Sequence, residues 1–465
     1  MRHLLRWTAA IVAILVLLGL TQSGMLASLD RRLDDWRLAA TSRPVSETTV
    51  VVEIDSQSLA EIGIWPWPRS LHATLLDRLM AAGADEVVFD IDFSSSRDPF
   101  DDAQFTAALE RAGGYAWLAA FAQTGADGHL HFSRPLPEFA ASAGSVLVNV
   151  LLDPLTATAR SLPVSATDEY GTIPALAVQL ARNQSPLPEI LEVDFSLNLA
   201  DLPRLSFTDV LYGRVDPAML SGKQIIVGAS AIELRDFFTV PRYGVIAGPV
   251  LQALALETLK AGRILANWGH LPGVLIVSAL ALLLLFRPRR ANAPTIFAVL
   301  AMTSFLGEAM ALVAYAQLSL LVSTASLHVG LVILFGLALA DNGYDHLLAR
   351  RAAQDRLRFL ATHDAATGLL SQQGLMELPR TLVPQVLLLL QVQATDELRV
   401  TLGHDVVEAV LHQFAHRLGH AGFTEVARTA PATFALLRGD DGDADGLART
   451  ATQLRTSLSG EYQAD

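Results

Sequence analysis

Three apolar segments follow one another closely in the second half of the chain: PGVLIVSALALLLLF (272–286), TIFAVLAMTSFLGEAMALVAYA (295–316) and LSLLVSTASLHVGLVILFGLALA (318–340). The second and third are each long enough to cross about 30 Å of hydrocarbon at about 1.5 Å per residue, and the first is shorter but uncharged. Their short connections predict a tight antiparallel bundle. The patterns before and after this block are typical of mixed α/β domains, so the block is predicted to separate two compartments.

Two ionisable residues interrupt the long apolar segments, Glu308 in the second and His328 in the third. Counted from the connection between these segments, the two lie at similar depth, so we expect them to face each other. An ionisable group in hydrocarbon costs at least about 2.5 kcal/mol and is therefore usually paired. The pair is either a structural hydrogen bond that sets helix register or a signalling switch.

The composition excludes several classes of protein. The chain has 465 residues, of which 51% are hydrophobic, and a net charge of −13. That hydrophobic content fits several membrane spans, and the negative charge argues against a nucleic-acid partner. The absence of cysteine removes disulfides, thiolate metal sites and cysteine nucleophiles. We expect no cofactor and no bound metal.

Arginines indicate how the chain crosses the membrane. With four crossings, the arginines that flank the apolar segments all fall on the cytoplasmic side: Arg2, Arg6, Arg287, Arg289, Arg290, Arg350, Arg351 and Arg356. The apolar run that follows the first two is either an uncleaved anchor, which we favour, or a signal peptide. This topology predicts a multi-pass protein of the bacterial inner membrane with both chain ends in the cytoplasm.

The predicted topology divides the chain into five regions. Residues 1–24 form the anchor, and residues 25–268 form an outer domain, periplasmic in a Gram-negative cell. Residues 269–341 hold three membrane helices, and residues 342–362 form a polar, arginine-rich helix. Residues 363–465 form a cytoplasmic α/β domain.

The outer region alternates strand and helix patterns. Four segments rich in β-branched residues predict strands: TTVVVEID (48–55), EVVFDIDF (86–93), GSVLVNVLL (144–152) and KQIIVGAS (223–230). Leucines recur at helical spacing in 71–80 and 250–259. This alternation predicts an α/β sandwich around a central sheet that is parallel at least in part.

An ordered set of short motifs runs through this region: DDWR (34–37), EID (53–55), WPR (67–69), FDIDF (89–93), IIVGAS (225–230), Asp236 before Pro241, and GVIAGPVLQA (244–253). These motifs resemble the second type of CHASE extracellular sensor domain. The order of regions is similar too, because that family joins an anchor, a sensor, three spans and a cytoplasmic output domain. The resemblance implies sensing, but it names no stimulus.

Several polar residues are candidates for a ligand site in the sensor. Asp55, Asp90 and Asp92 fall at predicted strand ends, where α/β sheets usually bind ligands. Trp67 offers a stacking face and Arg69 a clamp for carboxylate or phosphate. The remaining candidate is Asp236. The alternative is that the aspartates cap helices and order turns, because serines follow Asp55 and Asp92. The ligand, a small molecule or a protein in the periplasm, is not identified.

The polar helix 342–362 carries a loose apolar stripe that includes Leu347, Leu357 and Leu360. It predicts a continuous helix out of the last span. Two or three heptads fit either a dimeric coiled coil or a solvated helix in a monomer. We predict a homodimer, since two copies transmit rotation or register most simply.

The carboxyl-terminal region contains HDAATGLL (363–370), a Gly-His pair at 403–404 and Arg428 two residues before APAT (430–433). These features resemble the GGDEF diguanylate cyclase family, which implies a ferredoxin-like palm. VLLLL (386–390) predicts a buried strand, and Leu411, Phe414, Ala415 and Leu418 predict the inner face of a helix.

The residues that carry the family's chemistry are replaced. The resemblance places two metal-binding aspartates on Gln391 and Gln393, and the signature's two glycines and acidic pair on Ala430, Pro431, Ala432 and Thr433. Its lysine and guanine-reading asparagine fall on Asp396 and Arg399. Mg²⁺ needs carboxylate oxygens, and proline supplies neither flexibility nor an N–H. We therefore expect no catalytic residue and a degenerate domain that lacks its closing strands.

Glu408, His412, His416 and His420 share one helix face. Histidines four residues apart can bind zinc, although the same spacing fits a solvated polar face, which we favour.

These expectations combine into an inner-membrane receptor that relays an outer stimulus to an inactive GGDEF-like domain in cyclic di-GMP signalling. One alternative is the input half of a cyclic di-GMP phosphodiesterase whose EAL domain follows residue 465. Another is a non-enzymatic localisation or assembly factor.

Overall fold

The computed structural model describes residues 2–125, 130–182, 186–286, 293–379, 384–440 and 443–462. It divides into two compact units, Met1–Ala338 and Leu339–Asp465. The predicted arginine cluster Arg287, Arg289 and Arg290 lies outside the described residues.

The helices of the first unit are α1 (Arg2–Gln22), α2 (Ala27–Ala40), α3 (Ser56–Ile62), α4 (Arg69–Ala81), α5 (Pro99–Arg111), α6 (Pro137–Ala140), α7 (Leu176–Ala181), α8 (Phe207–Leu211), α9 (Gly248–Lys260), α10 (Leu271–Leu285), α11 (Ala293–Leu318) and α12 (Ala325–Thr362). Its strands are β1 (Thr49–Ile54), β2 (Glu86–Asp90), β3 (Ala116–Thr124), β4 (Leu130–Ser133), β5 (Gly144–Leu147), β6 (Leu151–Leu152), β7 (Ala159–Pro163), β8 (Ser165–Asp168), β9 (Gly171–Pro174), β10 (Ile190–Glu192), β11 (Arg204–Ser206), β12 (Gln224–Ala229), β13 (Phe237–Val240), β14 (Gly244–Ala247), β15 (Ala266–Asn267) and β16 (Leu320–Leu321). The helix α12 continues into the second unit.

A seven-stranded sheet forms the centre of the outer domain. Its strands are ordered β11-β1-β12-β2-β3-β4, with β5 also paired to β3. Every pairing is parallel except β3 with β4. The mixed α/β prediction is confirmed, and its sheet is largely parallel because helices cover both faces.

Alternation along β1 divides the core into two layers. Val50, Val52 and Ile54 pack with α4, α5 and α8 on one face, whereas Val51 faces the other. That second face is covered by α7 and by α9, which is buried over nearly its whole length. The period of two in a strand therefore supplies both cores from one apolar run.

The predicted strand 144–152 is interrupted. It forms β5 and β6, which belong to different sheets. The Asn149 side chain lies between them, accepting from Ala122 N at 2.7 Å and donating to Ala122 O at 2.6 Å. This side chain takes the ladder position of a backbone group, so the strand ends before it.

Helices α1, α10, α11 and α12 share a separate apolar core. Two of them, α11 and α12, are long and apolar enough to cross a membrane, and a third crossing is added if α1 and α2, bent by 75°, count as one span. At 15 residues α10 is shorter. Their outward faces carry exposed apolar side chains such as Phe305, Met310 and Val332. The count of four crossings stays a prediction.

The second unit contains β17 (Leu370–Ser371), α13 (Gln372–Met376), β18 (Gln385–Gln391), α14 (Thr395–Leu402), α15 (His404–Gly419), β19 (Glu425–Ala430), β20 (Thr433–Gly439) and α16 (Ala444–Leu458). Its sheet is ordered β17-β19-β20-β18. The predicted inner face of α15 is confirmed, because its four apolar residues are at most 7% exposed. The prediction that β18 is buried is wrong: β18 is an edge strand, and Leu387 and Leu389 are 51% and 67% exposed.

Candidate functional site

Two predicted ligand residues at the carboxyl edge of the sheet order the local backbone. Asp55 caps α3, and its Oδ1 accepts from Ser58 N at 2.8 Å, Ser58 Oγ at 2.6 Å and Ser206 Oγ at 3.0 Å. Asp92 Oδ1 accepts from Ser94 N at 2.9 Å in the turn that follows β2. Both carboxylates therefore satisfy backbone donors, as the capping alternative predicts.

The stacking face and the free guanidinium predicted at Trp67 and Arg69 are absent. Trp67 is 2% exposed, and its Nε1 donates to Gly63 O at 2.9 Å. Arg69 is 3% exposed, lies 3.0 Å from Asp102 Oδ1 and stacks over the Phe93 ring at 5.0 Å. The physical reason is burial: α4 begins against the aromatic core, so these large side chains pack inward. That part of the prediction is wrong.

Asp90 and Asp236 behave differently. They lie at the end of β2 and just before β13, and among the described residues neither carboxylate has a hydrogen-bond donor or cationic partner. Burial raises the pKa of Asp236 to about 6. Burial, and then the neighbouring Asp236, raise the pKa of Asp90 well above its usual range. This pair is the part of the predicted ligand set that the structure leaves without an internal structural partner.

A close backbone approach holds Asp236 in place. A Cβ on Gly248, the first residue of α9, would lie only 2.2 Å from Asp236 Oδ2. The backbone N of Gly248 also donates to Asp236 O at 3.0 Å. Glycine at this position is therefore required for the carboxylate to lie against the start of the helix.

The predicted pair inside the apolar helices is in contact. His328 Nε2 and Glu308 Oε2 lie 3.1 Å apart, and Ser304 Oγ lies 2.7 Å from His328 Nδ1. The network contains a residue that sequence reasoning missed. Arg37 Nε donates to Glu308 Oε1 at 2.8 Å and its Nη2 to Oε2 at 3.1 Å, while Thr324 Oγ1 donates to the same Oε2 at 2.9 Å.

Arg37 is 1% exposed although it is charged. It belongs to the DDWR motif. Glu308 is the signal that could have identified its role, because a carboxylate in an apolar segment needs a cationic partner. A second contact lies two turns farther along α11, where the Tyr315 hydroxyl donates to Asp194. Arg263 Nη2 also donates to Tyr315 O at 2.8 Å. No sequence pattern indicated this second contact.

The replaced cyclase positions meet at one end of the second sheet. They are Gln391, Gln393, Ala430, Pro431, Ala432 and Thr433. Gln391 on β18 is paired with Thr433 on β20, and Val392 N donates to Ala432 O at 2.8 Å. The side chains gathered here carry amide, hydroxyl and methyl groups, which neutralise no cation.

Arg428 joins three parts of the second unit. It contacts Glu408 on α15 at 2.7 and 3.0 Å, Asp364 at 3.1 Å and Pro431 O at 2.6 Å. These hydrogen bonds lower the pKa of Glu408. Arg399 on α14 lies 3.4 Å from the same carboxylate.

The zinc alternative for α15 is therefore not supported, because Glu408 turns toward two arginines. The histidines of that face, His412, His416 and His420, are exposed. The described part of the chain holds no group of three or more potential metal ligands.

Comparisons with known proteins place these features in context. The chain is 33% identical over 118 residues to uncharacterized proteins of Mycobacterium bovis and Mycobacterium tuberculosis, a match that covers 24% of this chain. The chain spans only 19% of the length of these relatives.

Two solved structures are similar over part of their length. One is a diguanylate cyclase/phosphodiesterase from Caldicellulosiruptor saccharolyticus, with 23% identity, a TM-score of 0.19, and coverage of 21% of this chain and 64% of that chain. The other is the diguanylate cyclase SiaD from Pseudomonas aeruginosa in complex with its activator SiaC, with 20% identity, a TM-score of 0.20, and coverage of 40% and 69%.

The CHASE2 domain family matches residues 11–286. That range begins within α1, includes the whole seven-stranded sheet and ends one residue beyond α10. The chain belongs to the CHASE2 domain family.

Proposed function

We propose that this chain is a multi-pass receptor of the bacterial inner membrane that relays an extracytoplasmic stimulus to a catalytically inactive GGDEF-like domain. The observation that carries the proposal is the position of α12. The CHASE2 region packs in one unit with α11 and the start of α12, and α12 extends to Thr362, just before the second sheet. A stimulus in the sensor thereby has a continuous helix along which to act.

The inactive output domain is supported by the geometry of the β19–β20 hairpin. Phosphoryl transfer from a nucleoside triphosphate depends on divalent metal held by carboxylates. Gln391 and Thr433 occupy paired positions where the resemblance requires acids. The intervening Pro431 has no N–H to offer a phosphate. The domain is therefore proposed to act through its surface in cyclic di-GMP signalling.

The proposed stimulus site is the carboxyl edge of the central sheet, around Asp90 and Asp236. Ligands of open α/β sheets bind at this edge. The receptor is further proposed to be a homodimer, because Leu347, Leu357 and Leu360 on α12 are 51–67% exposed in the single chain. A second copy would cover them.

The deciding experiment measures GTP turnover, and binding of GTP and cyclic di-GMP, by the purified full chain in detergent with and without Mg²⁺. We expect no cyclic di-GMP product under conditions in which an active diguanylate cyclase gives a clear signal. Synthesis of cyclic di-GMP would overturn the proposal. The double variant Gln391→Asp, Thr433→Glu introduces two carboxylates and tests whether they alone give activity. It should stay inactive because Pro431 remains.

A further inference from the structure

Helix α2 presents two adjacent faces with different partners. Asp30, Asp34 and Arg37 are spaced i, i+4, i+7 and form one face, which we call the bundle face. Arg31, Asp35 and Leu38 have the same spacing one residue later and form the sensor face. Two stripes offset by one residue point about 100° apart on a helix, so one short helix contacts two bodies at once.

The bundle face holds the beginning of α12 and the middle of α11. Asp30 Oδ1 accepts from the backbone N of Ala325, the first residue of α12, at 3.0 Å. Arg37 donates to Glu308 on α11 and to Val322 O at 2.8 Å, in the connection between the two helices. Both side chains are buried, with Asp30 6% and Arg37 1% exposed. A carboxylate at a helix start and a charge-assisted pair are strong contacts in a buried setting.

The sensor face contacts the mixed α/β part of the CHASE2 domain, a domain whose range includes α2 itself. Arg31 Nη2 lies 2.6 Å from Asp153 Oδ2, and Arg160 Nη2 donates to Asp35 Oδ1 at 2.6 Å. Leu38 is 5% exposed and belongs to the core that also contains β1 and α9. Asp153 directly follows β6 and Arg160 lies within β7, and these two strands pair with each other. Both partners therefore belong to the sheets of the sensor.

We propose that α2 is the coupling element through which the sensor controls the start of α12. The inference deepens the proposed function, on which it rests, by naming the route of regulation. A 14-residue helix moves as a rigid unit. A displacement of the sensor at Asp153 and Arg160 is therefore passed to Asp30 and Arg37, and from them to α11 and α12. Two other routes compete with it: the direct contact of Asp194 with Tyr315, and the pairing of β15 with β16 in the connection between α11 and α12.

Hydrogen exchange of the full chain in detergent tests the route. Arg160→Ala and Asp153→Ala alter the sensor face without touching α11 or α12. We expect amides of residues 320–330 to exchange about threefold to tenfold faster in these variants, the range that one weakened hydrogen bond produces. The control Arg111→Ala breaks an exposed ion pair with Asp77 elsewhere in the sensor and should leave 320–330 unchanged.

A combined variant separates coupling from simple loosening. The double variant Asp30→Ala, Arg37→Gln removes both contacts of the bundle face and should speed exchange in 320–330 by itself, and adding Arg160→Ala should then have no further effect there. If Arg160→Ala reduces folding, Asp35→Asn weakens the same pair from α2 and replaces it.

The proposal is overturned if 320–330 keep the parent's exchange while peptides around β7 respond. It is also overturned if Asp194→Asn, but not Arg160→Ala, changes 320–330. Neither result bears on nucleotide turnover or membrane topology, so failure of this route is distinct from failure of the proposed receptor.

Discussion

At the scale of single residues, a structural charged residue has a hydrogen-bond or ion-pair partner inside the fold, whereas a candidate site residue has none. Asp55 accepts three hydrogen bonds and Arg69 lies beside Asp102. Asp90 instead has a pKa that burial and the neighbouring Asp236 raise. Two neighbouring carboxylates without a cationic or hydrogen-bond partner destabilise the fold when both are ionised. Asp90 and Asp236 are therefore the first candidates to test.

Replacing Asp236 by asparagine should change the pH dependence of sensor stability. Its folded-state pKa is raised from 3.8 to about 6, so the folded protein prefers the protonated acid. The stability from this preference is present below about pH 4 and is lost as the pH rises through about 6. In Asp236→Asn the free energy of unfolding should fall by about 1–2 kcal/mol less than in the parent as the pH rises over this range.

Thermal unfolding of the full chain in detergent at pH 4.5 and pH 7 measures this effect. The exposed Asp201→Asn is the control, and its curve should follow the parent at both pH values. An equal pH response of Asp236→Asn and the parent would show that Asp236 ionises freely in the fold.

The ion pair Arg69–Asp102 is predicted to be structural. Both side chains are at most 4% exposed. Asp102→Ala should lower the free energy of unfolding of the sensor by about 3 kcal/mol, because an uncompensated guanidinium stays buried. The matched control is Asp77→Ala, whose partner Arg111 is exposed and which should cost under about 1 kcal/mol. Equal losses in denaturant unfolding would contradict the assignment.

At the scale of elements, side-chain contacts fix the β19–β20 hairpin to the rest of the second unit. Pro431 and Ala432 form its turn, and Arg428 fastens the hairpin to Glu408 and Asp364. Arg428 thereby joins β19 to α15 and to the segment before β17. These contacts hold the hairpin in its folded position.

Arg428→Ala should loosen this hairpin. The loss leaves Glu408 and the Pro431 carbonyl without their principal donor, so amides of β19 and β20 should exchange at least about tenfold faster. Arg449→Ala, which removes an exposed contact with Asp443, is the control and should change little. Unchanged exchange in Arg428→Ala would mean that strand pairing alone holds the hairpin.

At the scale of the whole molecule, the proposed topology places the sensor and the second unit on opposite sides of a membrane. The chain contains no cysteine, so single cysteines label specifically. Ile64→Cys lies in the sensor at a residue 95% exposed, and Val400→Cys lies in the second unit at a residue 90% exposed. In spheroplasts of a bacterial host, an impermeant maleimide should label the first and should label the second only after lysis. Labelling of both in intact spheroplasts would overturn the topology.

The sequence by itself determined features that depend on residue type or short-range periodicity. The apolar segments, the alternating strands and the neutral side chains at Gln391 and Thr433 are properties of the residues themselves. The contact between Glu308 and His328 was predicted in the same way. A helix has a fixed rise per residue, so the number of residues from the connection gives the depth of each side chain. Each of these inferences needs only local geometry.

The tertiary structure decided everything that depends on contacts between distant parts of the chain. Arg37 meets Glu308 across 271 residues, and no local pattern specifies that pairing. Trp67 and Arg69 are buried and are therefore no longer ligand candidates. Leu389 is exposed because β18 is an edge strand, although its apolar sequence predicts a buried one. Local propensity cannot supply these answers, since which side chains are desolvated is set by how the elements pack.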